Sequence, residues 1–318
     1  MANPPKYSVV IPVYNRPEEL DELLHSLAAQ SFKNFEVVIV EDGSQRRSEH
    51  IVEKYSPVLT LQYLFKPNSG PGPSRNAGFE RARGEYLVVF DSDCLLPPGY
   101  FDAVEGSLAK NPVDAWGGPD KGHEKFSIVQ QAMAYTMSSF LTTGGIRGGN
   151  QQSFQPRSFN MGMSRKVFEK TGGYAFDRLA EDIELSIRIR KAGFSIGLIP
   201  DAFVYHKRRT GFREFFRQVQ GFGRGRVRVG RAHPGEVKLT HWFPAFFFMS
   251  LVLMPVFFFF FPYLFWMEVF GLLMYGAAIF SDGLRATKSF VAAILSVPSA
   301  MVQLSGYGLG FLKEKLGL

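Results

Sequence analysis

Two kinds of pattern alternate along the first half of the chain. YSVVIPVYN, from Tyr7, is a short β-branched run ending around Pro12, Tyr14 and Asn15. In RPEELDELLHSLAAQ, which follows, Leu20, Leu23, Leu24 and Leu27 share one helical face. FEVVIVEDGS reads as a second continuous apolar strand closed by Glu41 and Asp42, and LTLQYLF as a third; residues 74–83 form a helix, and EYLVVF is a fourth strand ending in Asp91 and Asp93. Further on, SRKVFEK is a helix stopped by Gly172 and Gly173, and Glu181 and Asp182 open another, IELSIRIRK. Strands apolar on both faces, alternating with amphipathic helices, predict a doubly wound α/β domain: a mostly parallel sheet with helices on both faces. Ligands of such sheets bind beyond the carboxyl ends of the strands, where strand order switches. Tyr14 and Asn15, Glu41 and Asp42, and Asp91 and Asp93 then share one crevice. One acid at a strand end commonly caps a turn; three groups in register point to a ligand.

The last quarter follows a different pattern. Residues 243–280 carry one charge, Glu268, enough apolar sequence for two crossings at about 20 residues each, with Pro262 near the break. A third stretch, 290–312, is interrupted by Pro298, Gln303 and several glycines; the pattern leans towards three crossings. Lys207, Arg208, Arg209, Arg213, Arg217, Arg224, Arg226, Arg228 and Arg231 precede the first crossing and contribute to a formal charge of +7. This block, with Arg285 and Lys288 after two crossings, places the N-terminal part on the cytoplasmic side of a cytoplasmic (inner) membrane. Because the arginines abut apolar sequence, the partner they indicate is the lipid bilayer and not nucleic acid. Among them, Phe212, Phe215, Phe216, Val219 and Phe222 recur at helical intervals, the pattern of an amphipathic helix at the interface or one packed on the soluble domain. The expected organisation is a cytosolic domain over 1–210, a basic amphipathic segment over 211–240 and a membrane region over 241–318 with two to three helices. A single cysteine, Cys94, excludes an internal disulfide framework and fits a reducing compartment; the first residues lack a secretory pattern.

Asp91-x-Asp93 offers hard oxygen ligands to a divalent cation and leaves positions open for phosphate oxygens. No GxxxxGK[ST] loop occurs and no GxGxxG follows the first strand, which argues against P-loop and dinucleotide chemistry and leaves a metal-held diphosphate.

At this point SVVIPVYNRPEELDELLHSLAAQSF, FEVVIVEDGS, GPGPSRNAGFERARGEYLVVFDSD, FNMGMSRKVFEKTGGY, EDIELSIRIRKAGF and VYHKRR, in this order over about residues 7–210, resemble the inverting glycosyltransferases of family 2. The resemblance implies a GT-A fold, a Rossmann-like sheet domain, followed here by the membrane helices. It implies that Pro12, Tyr14, Asn15, and Glu41 or Asp42 line a nucleotide pocket, with Asp42 bonding base or ribose, and that Arg75 and Asn76 stand near the sugar diphosphate. Asp91 would contact ribose or sugar, and the metal through water; Asp93 would bind Mg²⁺ or Mn²⁺ directly, with His206 nearby; Asp182 would be the general base. The donor expected is a UDP-, GDP- or dTDP-sugar. The acceptor expected from location is membrane-associated, a lipid-linked saccharide or other lipid in cell-surface polysaccharide biosynthesis. Processive members carry Gln-x-x-Arg-Trp. Here RQVQGFGRGR has Gln218, Gln220 and Arg224 but no tryptophan, which favours single transfer. A catalytically silent nucleotide-sugar-binding subunit is the main alternative, disfavoured by Asp91, Asp93, Asp182 and His206. A nucleotidyltransferase would need a glycine-rich first loop, which PVYNRPEE is not.

Overall fold

The structure, a computed structural model, describes residues 4–121, 127–143, 154–206 and 211–318; Lys207, Arg208 and Arg209 of the basic block lie outside them. In chain order the elements are β1 (Tyr7–Val13), α1 (Pro17–Ala28), β2 (Phe35–Asp42), α2 (Glu49–Tyr55), β3 (Leu61–Lys66), α3 (Pro71–Arg81), β4 (Tyr86–Phe90), β5 (Cys94–Leu95), α4 (Tyr100–Lys110), β6 (Ala115–Gly117) and β7 (Asp120–Lys121). They continue with α5 (Ile128–Ser138), α6 (Phe140–Thr143), β8 (Asn160–Ser164), α7 (Arg165–Thr171), α8 (Glu181–Lys191), β9 (Ile196–Leu198), β10 (Val204–His206), α9 (Phe212–Ala232), a 3₁₀ turn (Leu239–Trp242), α10 (Phe243–Phe260), α11 (Pro262–Thr287) and α12 (Phe290–Leu316). The chain divides into two units: the strands with α1–α4, α7 and α8, and a helical unit of α5, α6 and α9–α12.

In the helical unit, α9 buries Phe215 and Val219 against Met133 and Met137 of α5 and Val302 of α12. Its apolar face therefore meets other helices of the same unit. Three helices, Leu239–Phe260, Pro262–Thr287 and Phe290–Leu316, are long and apolar enough to cross a membrane. The first two part at Phe261, with Pro262 opening α11 as a first-turn proline can.

In the first unit, a seven-stranded sheet has the order β3-β2-β1-β4-β8-β6-β9. Pairs β3·β2, β2·β1, β1·β4 and β6·β9 are parallel, and β8 runs antiparallel to both neighbours. Alternating side chains of β1 feed two cores: Tyr7, Val9 and Ile11 meet Leu20, Leu23, Leu24 and Leu27 of α1 and Phe101 of α4, while Val10 meets Phe79 of α3 and Leu185 and Ile189 of α8. Helix α3 begins three residues earlier than the sequence pattern indicates, at Pro71, after Gly70 with φ 98°. It lies directly on the sheet: a Cβ at Gly78 would fall 2.3 Å from Val10 Cγ1. The chain leaves β1 towards β2 and β3, then returns to β4 on β1's other side, so order switches between β1 and β4. A small second sheet, β5-β10-β7, lies in the same unit.

The β2 run contains a charge that hydrophobic pattern passes over. Glu36 is fully buried, and its carboxylate accepts from Ser8 Oγ at 2.7 Å, Arg83 N at 2.7 Å, Arg83 Nε at 2.9 Å, Arg83 Nη2 at 2.7 Å and Gln62 Nε2 at 3.0 Å. Burial acts to raise its pKa, but these donors outweigh it and hold the carboxyl below its ordinary value. Removing the acceptor strands several donors at once, so Glu36→Ala is expected to cost about 2–3 kcal/mol, read as a lowered denaturant midpoint.

Candidate active site

The acids at the end of β4 lie at the switch point. Asp93 is buried and ion-paired with Arg16, which follows β1: Arg16 Nη1 reaches Asp93 Oδ2 at 2.7 Å. The two strands flanking the switch are thus tied by one charge pair. Antiparallel pairing of β10 on β5 sets His206 opposite Cys94 and brings His206 Nε2 within 3.1 Å of Asp93 Oδ1. Apart from this ion contact Asp93 Oδ1 has no hydrogen-bond partner, and the other imidazole nitrogen, His206 Nδ1, has none either; both atoms are buried. The imidazole stacks on Phe159 with centroids 4.8 Å apart. Burial acts to raise the Asp93 pKa, but His206 and Arg16 outweigh it and hold the carboxyl far below the usual range.

A second cluster is built on Arg75 of α3. Its guanidinium is almost wholly buried and donates from Nη2 to Asp91 Oδ1 at 2.7 Å and from Nη1 to Glu181 Oε1 at 2.8 Å, with its carbon 5.2 Å from the Tyr174 ring centroid. Arg75 joins the end of β4 to the start of α8. Glu181 is buried; that burial and then the Asp182 charge push its pKa up to about 7 against the opposing pull of Arg75. Next to it, Asp182 occupies the first turn of α8 as expected from the sequence. Its Oδ1 accepts from Ile183 N at 2.8 Å, and its Oδ2 lies 3.8 Å from Arg157 Nη1. Ala180, at φ 58°, turns the chain into that helix.

Other expected site residues are engaged in holding loops. Asn15, in the left-handed region at φ 55°, donates its backbone N–H to Ser44 Oγ at 2.7 Å and accepts through Oδ1 from Gln45 N at 2.8 Å and Arg46 N at 3.1 Å. Glu41 accepts from Ser44 Oγ, from Ser48 N at 3.0 Å and from Tyr63 Oη at 3.3 Å. Asp42 pairs with Lys66 and accepts from Ser69 N and Gly70 N, each at 2.9 Å, which keeps the loop before α3 against the strand end. Asn76 spends both ends of its amide on the Tyr174 backbone, at 2.8 Å each. Pro12 is the last but one residue of β1, and Tyr14, half exposed, presents its ring just beyond the strand. The structure thus joins Asp91 with Arg75, and Asp93 with His206, while the side chains of Asn15, Glu41, Asp42 and Asn76 are engaged in holding loops.

A divalent cation fits the Asp93 cluster. One ligand atom from each of Asp93, Cys94 and His206 lies within 4.8 Å of the others, and two of the three residues hold a buried polar atom with no partner. An ionised carboxylate and an imidazole are a donor set for Mn²⁺ or Mg²⁺. Sequence reasoning missed Arg16 and gave Glu181 only the role of a first-turn acid. The available signal for both was position: each directly follows or opens an element that ends at the crevice.

A family model described as glycosyl transferase family 2 matches residues 8–172. The probable glycosyltransferase YdaM of Bacillus subtilis is 26% identical over 314 residues, covering 92% of this chain and 70% of that protein. The poly(ribitol-phosphate) beta-N-acetylglucosaminyltransferase TarS of Staphylococcus aureus is 44% identical over 92 residues, but these are 28% of this chain and only 16% of that protein. Among solved structures, the mannosyltransferase PcManGT from Pyrobaculum calidifontis, in complex with GDP-Man and Mn²⁺, has a TM-score of 0.60 at 18% identity, covering 99% of this chain and 88% of that one. That likeness is one of fold, and it agrees with the mostly parallel sheet and the helices that follow. With a match over more than half its length, this chain belongs to glycosyl transferase family 2.

Proposed function

We propose that the protein transfers one sugar from a nucleoside-diphosphate donor to a membrane-held acceptor, a lipid-linked saccharide or other lipid, with inversion at the anomeric carbon and a divalent cation at Asp93 and His206. The observation that carries this reading is the Asp93–His206 pair at the end of the strand that follows the strand-order switch: Asp93 Oδ1 lies 3.1 Å from His206 Nε2, and buried Asp93 Oδ1 and His206 Nδ1 have no hydrogen-bond partner. Two structural relatives support the donor class: PcManGT was solved with GDP-Man and Mn²⁺, and TarS with UDP-GlcNAc.

When bound, the cation would offset the negative charge that collects on the departing diphosphate. The protein's own groups do the rest. His206 and Arg16 keep Asp93 ionised; Arg16 holds Oδ2, while Oδ1 faces His206 Nε2 at 3.1 Å, and Asp93 and His206 would hold the cation. Tyr14 and Pro12 border the space for the nucleotide, and Asp42, which also fixes the backbone at Ser69 and Gly70, bonds its base or ribose. Arg75 orients Asp91 towards the sugar end of the donor and keeps its carboxylate neutralised. Asp182 takes the acceptor hydroxyl's proton as the nucleophile attacks opposite the leaving group. Arg157 and the Ile183 N–H hold that carboxylate in place. The apolar helices α10 and α11 anchor the chain in the cytoplasmic membrane with the sheet domain on the cytoplasmic side, close to a lipid acceptor.

Transfer measured on purified full-length protein with UDP-, GDP- and dTDP-sugars should depend on Mn²⁺ or Mg²⁺. Asp93→Asn should abolish both turnover and the metal-dependent thermal shift given by the donor, whereas Asp182→Asn should lower kcat about a thousandfold and leave that shift in place. Undiminished transfer in excess chelator would overturn the reading; binding without turnover would favour a silent subunit.

The Glu181 carboxyl gives a pH signature. Its folded-state pKa of about 7 lies above the ordinary 4.5, so the folded chain holds that proton more tightly, and the stabilisation it brings is complete below 4.5 and lost as pH rises through 7. Glu181→Gln removes the titration. Relative to that variant, the native chain should lose ~2 kcal/mol between about pH 5 and about pH 8, read from melting temperatures. Parallel curves for the two proteins would show that Glu181 does not titrate in this window.

A further inference from the structure

Helix α12 has the length and composition of a third crossing, but its packing places both of its ends at one face of the α10–α11 hairpin. This argument rests on the reading above that the hairpin enters a bilayer. Helices α10 and α11 run antiparallel about the break at Phe261, with the Phe247 and Tyr275 rings 6.4 Å apart. Helix α10 therefore enters at Phe243 on the face where α11 leaves at Thr287. Only Lys288 and Ser289 separate α11 from α12, so the first turn of α12 is at that face.

The far end of α12 is held there too. Trp242, just before α10, sits edge-on to Phe311 with centroids 4.8 Å apart, and a Cβ at Gly308 would fall 2.1 Å from the Pro244 carbonyl oxygen. Glu314 is buried beneath three arginines of α9: Arg224 Nε reaches Oε2 at 2.9 Å, while Arg228 Nε and Arg231 Nη1 reach Oε1 at 3.1 and 3.3 Å. A helix of 27 residues is about 40 Å long, more than the ~30 Å hydrocarbon layer. Were it to cross, Phe311 and Glu314 would lie a bilayer's thickness from Trp242 and Arg231, yet they touch them.

Helix α9 adds an electrostatic lock. A Cβ at Gly310 would fall 2.0 Å from the Gln220 carbonyl oxygen, one at Gly306 2.5 Å from Val219 Cγ2, and one at Gly223 2.1 Å from the Tyr307 carbonyl oxygen, so α9 and α12 meet backbone to backbone. Arg213, Arg217, Arg224, Arg226, Arg228 and Arg231 all lie on α9, which cannot enter hydrocarbon without a cost of several kcal/mol per charge; α12 is fixed to it. Of the most apolar window of α12, 44% is buried within the protein, against 6% for each of the other two helices. Around Glu314, three guanidiniums face one carboxylate, a surplus of two positive charges on side chains that are 42%, 37% and 56% exposed.

We propose that α12 does not cross the bilayer but lies with α9 along the face where α10 enters, forming an interfacial layer whose surplus arginines meet anionic lipid headgroups. The one native thiol, Cys94, is buried, so introduced cysteines report topology cleanly. No helix before α10 among the described residues is long and apolar enough to cross, so Ser56, exposed in the sheet domain, marks the side on which α9 lies. With Lys315→Cys and Ser56→Cys in the full chain, a membrane-impermeant maleimide should label neither in intact cells and both after permeabilisation. Labelling of Lys315→Cys from outside, with Ser56→Cys still protected, overturns the proposal and leaves the bilayer reading standing. A chain released from washed membranes overturns both, and fractionation shows this before any labelling. In the detergent-purified full chain, phosphatidylglycerol should raise the melting temperature by several degrees where phosphatidylcholine and inorganic phosphate do not, and the double variant Arg228→Gln, Arg231→Gln should lose that rise. An equal rise with phosphatidylcholine, or with phosphate alone, overturns the headgroup contact.

Discussion

Two carboxylates at the end of a strand buried on both faces persist because each is given a cation from a distant part of the chain. Asp91 has Arg75, sixteen residues back on α3, and Asp93 has Arg16 from the other side of the strand-order switch. Unpaired, the buried Asp93 would cost several kcal/mol, and Asp91, a third exposed, less. The obligation runs both ways, since Arg75 is itself almost out of solvent and needs Asp91 and Glu181 together to remain there. One guanidinium thereby fixes the relative positions of α3, the end of β4 and the start of α8. The ion pairs that gather these acids at the crevice are the same contacts that close the first unit.

Much of this was legible because strands buried on both faces leave no choice of pattern: β1, β2 and β4 are apolar runs, and their polar residues collect where the runs end. The leucines of α1 and the acids opening α8 are similarly local signals. What escaped is what depends on partners remote in sequence. Glu36 sits inside a run that pattern alone treats as uniform, and its burial is tolerated only because Arg83, Ser8 and Gln62 converge on it. Helix α5 buries Ala132, Met133, Tyr135, Thr136 and Met137, a nearly unbroken series without the three-to-four spacing that marks a one-faced helix, because it is covered on several sides within the helical unit. For α12 the composition of a crossing helix is present, and the features that alter its reading are glycines and one glutamate, Glu314, whose arginine partners lie 83 to 90 residues earlier on α9.

Asn15, Glu41, Asp42 and Asn76 illustrate a different limit. Position assigns Asn15, Glu41 and Asp42 to the crevice, and the family resemblance assigns Asn76, yet all four spend their side chains on backbone groups and nearby side chains. A strand end carries loops that must be held before they can hold anything else. Polar residues there divide between those that fix the loop and those left with an unused atom, and only a three-dimensional count of donors and acceptors separates them. By that count Asp93 and His206 each keep a buried atom without a hydrogen-bond partner, as Arg75 does at Nε.

The thiol beside them bears on which cation the cluster would select. Burial first, then the nearby charges of Asp93 and Asp91, push the Cys94 pKa well above its ordinary value, and its Sγ donates to the Phe159 carbonyl at 3.4 Å. A thiolate would give the cluster a soft ligand and an affinity for zinc. Kept as a thiol, Cys94 packs as a small apolar side chain under the site, and the donors that remain are a carboxylate oxygen and an imidazole nitrogen. That set suits a hard divalent cation better than a soft one.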